Sequence, residues 1–454
     1  MFPKLKRALF VLSLLLFGMA TSLHADFFFF PIFVAKDPGV RDGVRGAGGP
    51  ITGLSDSEQA FFDAGLDAFN EVQDVQGDDP GLGPRFNLDS CAGCHKQPAV
   101  GGSSPFTNTT HPQIEVASKN GATNVVPFFI KNGGPVREAR FIYNPDGTLD
   151  GGVHPLFTIA GRDDAPGCAL SQPDFTAAAA NDNLVFRIPT PTFGTGLIEA
   201  IDEATILTNK NSNVLTKLFF GISGRVNRNP NDGTITRFGW KAQNKSLLIF
   251  AGEAYNVEQG VTNEVFPQER DQTPGCLFNG TPEDRTRYDG TTLTGVLSDT
   301  MKFAIFMTFL APPTPAVDTL STLRGKASFN RIGCALCHTP SLTTGKSSTP
   351  ALNKKPVNLY SDLILHNMGP KLADTILQGS AKGDEFRTAP LWGLGQRIFL
   401  LHDGRTTDLR EAIEAHKSFG NFQYGPSEAN AVIQNFDALF QADQQDLFNF
   451  LRSL

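Results

Sequence analysis

The chain has 454 residues, which is enough for two or three domains that each bury a core. Its formal net charge is −7 at pH 7, and this acidic balance argues against a nucleic-acid partner. An acidic surface is compatible with a basic protein partner, although a net charge is usually a solubility feature.

The N-terminus has the pattern of an export signal. Lys4, Lys6 and Arg7 form a basic region, and residues 8–19 behind it are apolar but too few to span a bilayer comfortably. The pattern predicts a Sec-type signal peptide over residues 1–25, and therefore export to the periplasm. An uncleaved membrane anchor is the alternative.

The cleavage site of the signal stays open between two positions. Cleavage after Ala20 or after Ala25 would leave a mature chain without a stable membrane span. Loss of the basic residues would bring the net charge to about −10. We expect residues 26–50 to be a flexible segment before the first domain.

An amphipathic helix is predicted next. Ser55 and Glu58 match a capping box, and Phe62, Leu66 and Phe69 then recur at helical spacing. This helix leads into the first of two related stretches.

Residues 86–95 and 329–338 repeat one pattern, F-N-x-x-x-C-A-x-C-H. Each copy ends in Cys-x-x-Cys-His, the attachment signature of c-type haem, in which two thiols add to the vinyl groups and the imidazole binds the iron. The chain is therefore expected to carry two covalently bound haem c groups. The predicted attachment residues are Cys91, Cys94 and His95 in the first copy and Cys334, Cys337 and His338 in the second.

Two other interpretations of these cysteines fit less well. Zinc ribbons separate their two Cys-x-x-Cys units by roughly 15 to 20 residues, whereas these units lie in different regions of the chain. A thioredoxin-like pair should follow a strand of a βαβ unit, and neither stretch alternates in that way.

The region between the two motifs differs in amino-acid composition from the segments around them. Gly, Asn and Pro are frequent over residues 106–288, and residues 183–189 resemble a strand or an irregular loop. Proline-rich residues 311–315 then mark a linker. We expect a mainly α fold with two c-type cytochrome domains, over residues 51–315 and 316–454, the first elaborated with loops and some β structure.

Two cysteines lie outside the motifs, Cys168 and Cys276. In an exported protein an even pair predicts a disulfide, and two buried free thiols are the alternative.

A candidate sixth ligand follows in the C-terminal domain. Asp408 is a plausible N-cap, and Leu409, Ile413 and His416 share one face of the helix behind it. A histidine on an apolar face is usually a satisfied core residue, but a haem domain with few histidines favours iron ligation. The pattern alone leaves both interpretations of His416 open.

Several segments resemble a known family. Residues 385–391, 401–405 and 409–413 are similar to the C-terminal domain of bacterial dihaem cytochrome c peroxidases. A closer resemblance, over most of the mature chain, is to the related dihaem oxidoreductases, also named putative peroxidases or thiol oxidoreductases. The segments that carry it are 189–201, 221–225 and 238–242.

The resemblance implies a sixth ligand for each haem. In the peroxidases a methionine fourteen positions after the histidine that corresponds to His402 binds the electron-transferring haem, and His416 stands there in this chain, with Met368 as the competitor. For the first haem, His111 follows His95 at the spacing of a displaceable distal histidine, although an exposed loop residue is the better alternative. His154 is another candidate.

The resemblance also implies catalytic residues. Glu199 matches the catalytic glutamate of the family, and the alternative is a solvated acid at a helix start. Arg140 or Arg187 would polarise a bound peroxide. Trp240 or Trp392 would lie between the haems, although core packing is the commoner role of a tryptophan.

The sequence therefore predicts a periplasmic oxidoreductase that reduces hydrogen peroxide, or a similar oxidant, at the N-terminal haem. Electrons would come through the C-terminal haem from a small donor protein of the cytochrome c or cupredoxin type. The alternatives are a non-catalytic dihaem electron-transfer protein and a dihaem enzyme that oxidises a partner protein. A calcium ion is a further candidate cofactor, but it leaves no clear mark in the sequence.

Overall fold

Helices dominate the fold, and short antiparallel strands join them. A computed structural model describes residues 34–43, 46–105 and 110–454. The predicted signal peptide, residues 1–25, lies outside the described residues.

The elements are numbered along the described chain. The α-helices α1 to α13 are Asp56–Asn70, Cys91–Cys94, Pro112–Glu115, Phe175–Ala180, Thr195–Glu199, Glu203–Lys210, Val214–Phe220, Leu247–Glu258, Asp299–Phe309, Leu320–Ile332, Leu409–Ala415, Asn430–Asp437 and Gln441–Ser453. The strands β1 to β11 are Arg85–Phe86, Glu138–Phe141, Val153–His154, Phe157–Thr158, Leu184–Arg187, Asn227–Arg228, Ile235–Thr236, Leu342–Thr343, Pro356–Val357, Leu365–Asn367 and Glu385–Arg387. Short 3₁₀ helices are Val116–Gly121, Cys334–Leu336 and Leu394–Gln396.

Helix α1 precedes the first cysteine motif, as predicted. Ser55 and Glu58 form the capping box reciprocally, which satisfies backbone groups at the helix start. The buried face of α1 packs on α9, where the Phe69 and Phe306 rings lie 4.9 Å apart. Gly65 permits this close packing, because a Cβ placed there would lie 2.5 Å from the Lys302 carbonyl oxygen.

Helix α10 precedes the second motif in the same way. Thr319 caps it, and Gly325 faces α13 so closely that a Cβ there would overlap the carbonyl oxygen of Asp446. Phe329, one turn later, packs on Phe450 at 5.5 Å between ring centroids. Helix α13 ends at Ser453, and its Leu447 is buried.

The small sheets lie mostly between the two motifs, as the amino-acid composition of that region predicts. Strands β3, β2 and β5 form an antiparallel sheet in which Ala139 lies opposite both His154 and Phe186. Strand β5 confirms the strand interpretation of residues 183–189. In the C-terminal part, β10 pairs with β11 and places His366 opposite Phe386.

One apolar core contains residues from both sides of the proline-rich segment. Phe62 and Phe306 from the N-terminal side share a cluster with Leu359 and Trp392 from the C-terminal side. Residues Ala35–Leu454 accordingly form one compact unit, and the domain limits at 315 and 316 remain a prediction.

The predicted disulfide between Cys168 and Cys276 is present, and it closes a sequence separation of 108 residues. Both cysteines lie in a second buried apolar cluster around Phe157 and Phe175.

The described part of the expected flexible segment is anchored to the C-terminal helix. Asp37 forms a buried ion pair with Arg452 at 2.7 Å and accepts a hydrogen bond from the backbone of Leu409 at 2.8 Å. A carboxylate with buried partners is costly to release, so these contacts hold Asp37 in place. The flexibility of residues 26–50 stays a prediction.

Among the described helices, none combines the length and the apolar character that crossing a bilayer requires.

Candidate haem sites

The first cysteine motif forms one helical turn, α2, that ends at His95. The backbone N–H of His95 donates to the Cys91 carbonyl at 2.9 Å. The Nδ1 atom of the buried ring donates to the Gly102 carbonyl at 3.0 Å, and this bond selects the tautomer whose free lone pair is on Nε2. Burial lowers the pKa of His95 to about 4, so the imidazole is neutral, as a metal ligand must be.

The second motif repeats this arrangement. The backbone N–H of His338 donates to the Cys334 carbonyl at 2.9 Å, and its Nδ1 donates to the Tyr360 carbonyl at 3.0 Å. Burial also lowers the pKa of His338 to about 4. Both imidazoles are therefore held by a backbone acceptor with Nε2 available for a metal.

The structural repeat differs from the sequence repeat upstream of the cysteines. Phe329 lies in α10 with its ring centroid 6.4 Å from that of His338, but Phe86 lies in β1. Its structural counterpart is Phe69 in α1, whose ring is 6.0 Å from His95. The ten-residue match therefore reflects a shared structure only over Cys-x-x-Cys-His.

Each motif opens onto a large cavity. The first has a volume of about 410 Å³ and is lined by Cys91, Cys94 and His95. Its volume lies within the usual range of a cofactor pocket, roughly 300 to 1,000 Å³. Two thiols and one neutral imidazole on one turn are the donor set of a c-type haem, so these residues fit that group.

The second cavity has a volume of about 230 Å³ and is lined by Cys334, Cys337 and His338. The same donor set fits a second haem. Both candidate sixth ligands from the sequence, Met368 and His416, line this cavity as well, and so does His402.

His416 is oriented in the same manner as the two motif histidines. It follows α11, whose predicted N-cap Asp408 accepts from two backbone N–H groups. The His416 Nδ1 donates to the Ala412 carbonyl at 2.8 Å, so Nε2 carries the free lone pair. Burial lowers the pKa of His416, which keeps the imidazole neutral. The structure thus brings a second ligand-competent imidazole to the cavity of His338.

Glu199 does not line either large cavity. Its carboxylate accepts the backbone N–H of Leu247 at 2.8 Å, at the start of α8, and burial raises its pKa. The structure therefore does not bring Glu199 and His95 to a shared wall.

A different carboxyl group occupies the first cavity. Glu258 at the end of α8 lines it, and burial, with the nearby charges of Glu138 and Glu253, raises the pKa of Glu258 to about 8. Sequence reasoning missed this residue, since one of the two neighbouring carboxylates, Glu138, comes from a distant segment. The nearest signal was an acid that ends a nearly uncharged helix, Leu247–Glu258.

Both predicted arginines line the first cavity. Arg140 pairs with Glu138 at 2.7 Å, and Arg187 pairs with the buried Asp374 at 2.6 Å. Asp374 also contacts Lys241 at 3.1 Å, which completes a buried charge network that the sequence did not reveal.

Trp240 lines both large cavities, whereas Trp392 lines neither of them. The Trp240 indole N–H donates to the Ile188 carbonyl at 3.0 Å, which fixes its orientation. Its ring lies edge-on to His402 at 6.4 Å. Of the two tryptophans, the structure therefore places Trp240 at the wall that the cavities share.

The two candidate distal histidines lie outside the cavity linings. His111 is 1% exposed rather than a solvated loop residue, because its Nδ1 caps α3 by accepting the Gln113 N–H at 3.2 Å. The His154 Nε2 contacts Asp150 at 2.6 Å, and its ring stacks on Phe141.

In the described ranges, no cluster of three or more His, Cys, Asp or Glu side chains is arranged to hold a metal ion. Calcium binding therefore has no support from a side-chain cluster in this part of the chain.

Comparison with known proteins identifies a family. The family described as "Di-haem oxidoreductase, putative peroxidase" matches residues 136–454. No curated protein matches the chain.

Solved structures show distant likenesses. The diheme peroxidase BthA from Burkholderia thailandensis E264 is 16% identical, with a TM-score of 0.31 over 48% of this chain and 65% of that one. A MauG-like protein associated with microbial copper homeostasis is 20% identical, with a TM-score of 0.26 over 36% and 55%. Kuenenia stuttgartiensis hydrazine synthase is 16% identical, with a TM-score of 0.24 over 45% and 60%. The chain thus spans less than two thirds of each of these proteins.

Proposed function

Because this chain belongs to the di-haem oxidoreductase family, whose members carry two haem groups, we propose that it is a periplasmic peroxidase with two c-type cytochrome domains. Its first haem, in the N-terminal domain, reduces hydrogen peroxide. Its second haem accepts electrons from a small donor protein of the cytochrome c or cupredoxin type.

The cysteine motifs would hold both haems covalently. Each motif offers two thiols for thioether bonds and an imidazole whose Nδ1 is already engaged. The residues in these roles are Cys91, Cys94 and His95 for the first haem and Cys334, Cys337 and His338 for the second.

The proposal that the two haems have different roles rests on a difference between the side chains that line the two cavities. The first cavity presents the carboxyl group of Glu258, whereas the second presents an additional imidazole, His416. A proton-exchanging group favours chemistry on a substrate, and a second strong ligand favours electron transfer.

Glu258 is the proposed proton carrier of the reaction. A bound haem supplies the iron at which peroxide is reduced and the electrons that it receives. Cleavage of the O–O bond also needs a group that takes a proton from one peroxide oxygen and returns it to the other. With a pKa of about 8, Glu258 exchanges a proton readily near neutral pH.

Arg140 and Arg187 place positive charge on the same wall, where it would favour a developing oxyanion. Both guanidinium groups are held by buried or half-buried carboxylates, so their positions are set before substrate arrives. Trp240 is the proposed path for electrons between the haems, since it lines both cavities.

A carboxyl-to-amide exchange tests the role of Glu258. Glu258→Gln should lower the rate constant for peroxide consumption by about 10² to 10⁴ while both haems stay attached. Glu199→Gln is the matched control, because Glu199 is also a buried carboxyl with a raised pKa but lies off the cavity. A large loss in the Glu199 variant alone would return the acid–base role to that residue.

Low-temperature spectra separate a peroxidase from an electron-transfer module. A high-spin haem in the as-isolated or half-reduced protein, together with peroxide consumption, supports the proposed function. Two persistent low-spin signals without reaction with peroxide would contradict it.

A further inference from the structure

A third, small cavity adjoins both large ones. Its volume is about 20 Å³, and its wall includes three arginines and both tryptophans. Trp240 lines all three cavities, and Arg387 and Arg397 line the second and the third. The third arginine, Arg237, lines the small cavity but neither large one. The described wall of the small cavity contains no Asp or Glu side chain.

These arginines lack carboxylate partners. Within the described part of the chain, none of the three forms an ion pair, and their hydrogen bonds go to backbone carbonyls. Arg387 Nε donates to the Gly239 carbonyl at 3.0 Å, and Arg237 Nη1 donates to the Ile198 carbonyl at 3.2 Å. The Arg237 Nε is buried and has no hydrogen-bond partner.

Other buried arginines of this protein are compensated by aspartates. Their side chains are at most 4% exposed. Around the small cavity, Arg237 and Arg387 are 7% and 6% exposed, and Arg397 is half-buried. The compensated pairs are Arg162 with Asp164 at 2.7 Å, Arg187 with Asp374 at 2.6 Å and Arg452 with Asp37 at 2.7 Å. Among the described arginines that are less than a tenth exposed, Arg237 and Arg387 are thus the two that form no ion pair.

An uncompensated buried cation is unstable unless an anion is supplied. Burial lowers the pKa of both Arg387 and Arg397 to about 10, and the two charges repel each other. Both groups nevertheless remain charged at neutral pH. A haem brings two propionate carboxylates, and a guanidinium matches a carboxylate in a bidentate manner.

We propose that Arg387 and Arg397 bind the propionate carboxylates of the haem in the second cavity, with Arg237 as a third cation beside them. The proposal rests on the proposed function in one respect, the presence of a haem on His338. The same three cations would repel a calcium ion at this position, because the wall offers it no carboxylate.

The test is the midpoint potential of the second haem in Arg387→Gln and Arg397→Gln. A cation beside a propionate favours the reduced haem, so its removal should lower the potential. At a fixed applied potential, the ratio of oxidised to reduced second haem should rise on the order of tenfold. The potential should also become more dependent on pH, because a propionate without a partner takes up a proton more readily.

Arg331→Gln is the matched control. Its side chain is 62% exposed and lies three positions before Cys334, so the same charge is removed near the same motif but in solvent. Screening by water should keep the redox ratio within about twofold of the unmodified protein. If the glutamine variants do not attach haem, Arg387→Lys carries the test, because it keeps the charge but loses bidentate binding, and it should give a smaller shift of the same sign.

Unchanged potentials in the haem-replete variants of Arg387 and Arg397 would overturn the proposal, as would a shift confined to the first haem. Failure of the proposed function gives a different result. A protein that carries two haems, does not consume peroxide and still shows the Arg387 shift would retain this inference and lose the peroxidase assignment.

Discussion

Burial sets the protonation of the candidate ligands and of the candidate acid in opposite directions. It lowers the pKa of His95 and His338 to about 4, which leaves each imidazole neutral. It raises the pKa of Glu258 to about 8, which leaves the carboxyl mostly protonated at pH 7. Burial thus keeps the histidines neutral, as metal ligands must be, and brings the glutamate into the pKa range of a proton carrier.

The pKa of Glu258 predicts a pH profile. Uptake of the peroxide proton requires the carboxylate, so the rate constant for peroxide consumption should rise about tenfold per pH unit from pH 6 and level off above the pKa of about 8. Stopped-flow measurements across this range check the prediction. Glu258→Gln should abolish the rise, and a flat profile in the unmodified protein would contradict the assignment.

Replacement of His416 tests the second haem. His416→Met exchanges an imidazole for a thioether, and a His/Met haem has a higher potential than a His/His haem. Spectroelectrochemistry should therefore show a higher potential for the second haem and an altered spectrum. Met368→Leu is the control on the same cavity wall, and an unchanged second haem in the His416 variant would remove that residue as a ligand.

At the scale of elements, the helix pairs α1 with α9 and α10 with α13 are the common frame of the two sites. Each pair meets at a glycine and continues to a phenylalanine that packs near a motif histidine. The backbones can approach because Gly65 and Gly325 have no side chain there.

Gly325→Ala should destabilise the fold by about 3 kcal/mol, the upper end for an overpacked core, since its Cβ would overlap the Asp446 carbonyl oxygen. Chemical denaturation measures the change. The exposed neighbour in Lys326→Ala serves as the control and should change the free energy of unfolding by less than about 0.5 kcal/mol. Equal stability of both variants would show that α10 and α13 can separate without cost.

The sequence predicted the elements that have local signals. Ser55 and Asp408 are N-cap residue types that predict a helix start, and both side chains cap a helix in the structure. Helix α8 was not predicted, because Leu247–Glu258 is apolar on several faces and shows little periodicity. For the same reason the role of Glu258 was missed, since its environment includes Glu138 from a segment more than 100 residues earlier.

At the scale of the whole molecule, the disulfide is the one covalent link between distant described segments. Cys168 and Cys276 close a loop of 108 residues, for which the chain-entropy model gives about 4 to 5 kcal/mol of stabilisation. The double variant Cys168→Ser with Cys276→Ser should lose about that much free energy of unfolding. Denaturation with and without a reductant checks it, and a loss below about 1 kcal/mol would show that packing around Phe157 already holds these segments.

At this scale, the sequence did not show which parts of the chain the proline-rich segment contacts. Residues 311–315 have the composition of a linker, and yet the backbone N–H of Ala311 donates to Gly49 and that of Ala316 donates to Ser453. These long-range bonds join the segment to the stretch before α1 and to the end of α13. The proline content predicts that the backbone of a segment is stiff, but it does not predict which distant residues the segment contacts.

The ion pair between Asp37 and Arg452 has a consequence for the timing of maturation. Its partners are 415 residues apart, so at 5–20 residues per second the second one is synthesised roughly 20–80 s after the first. Asp37 also holds the backbone of Leu409, at the start of the helix that leads to His416. The contacts of Asp37 that hold the start of this helix are therefore complete only after the last helix, α13, has been synthesised.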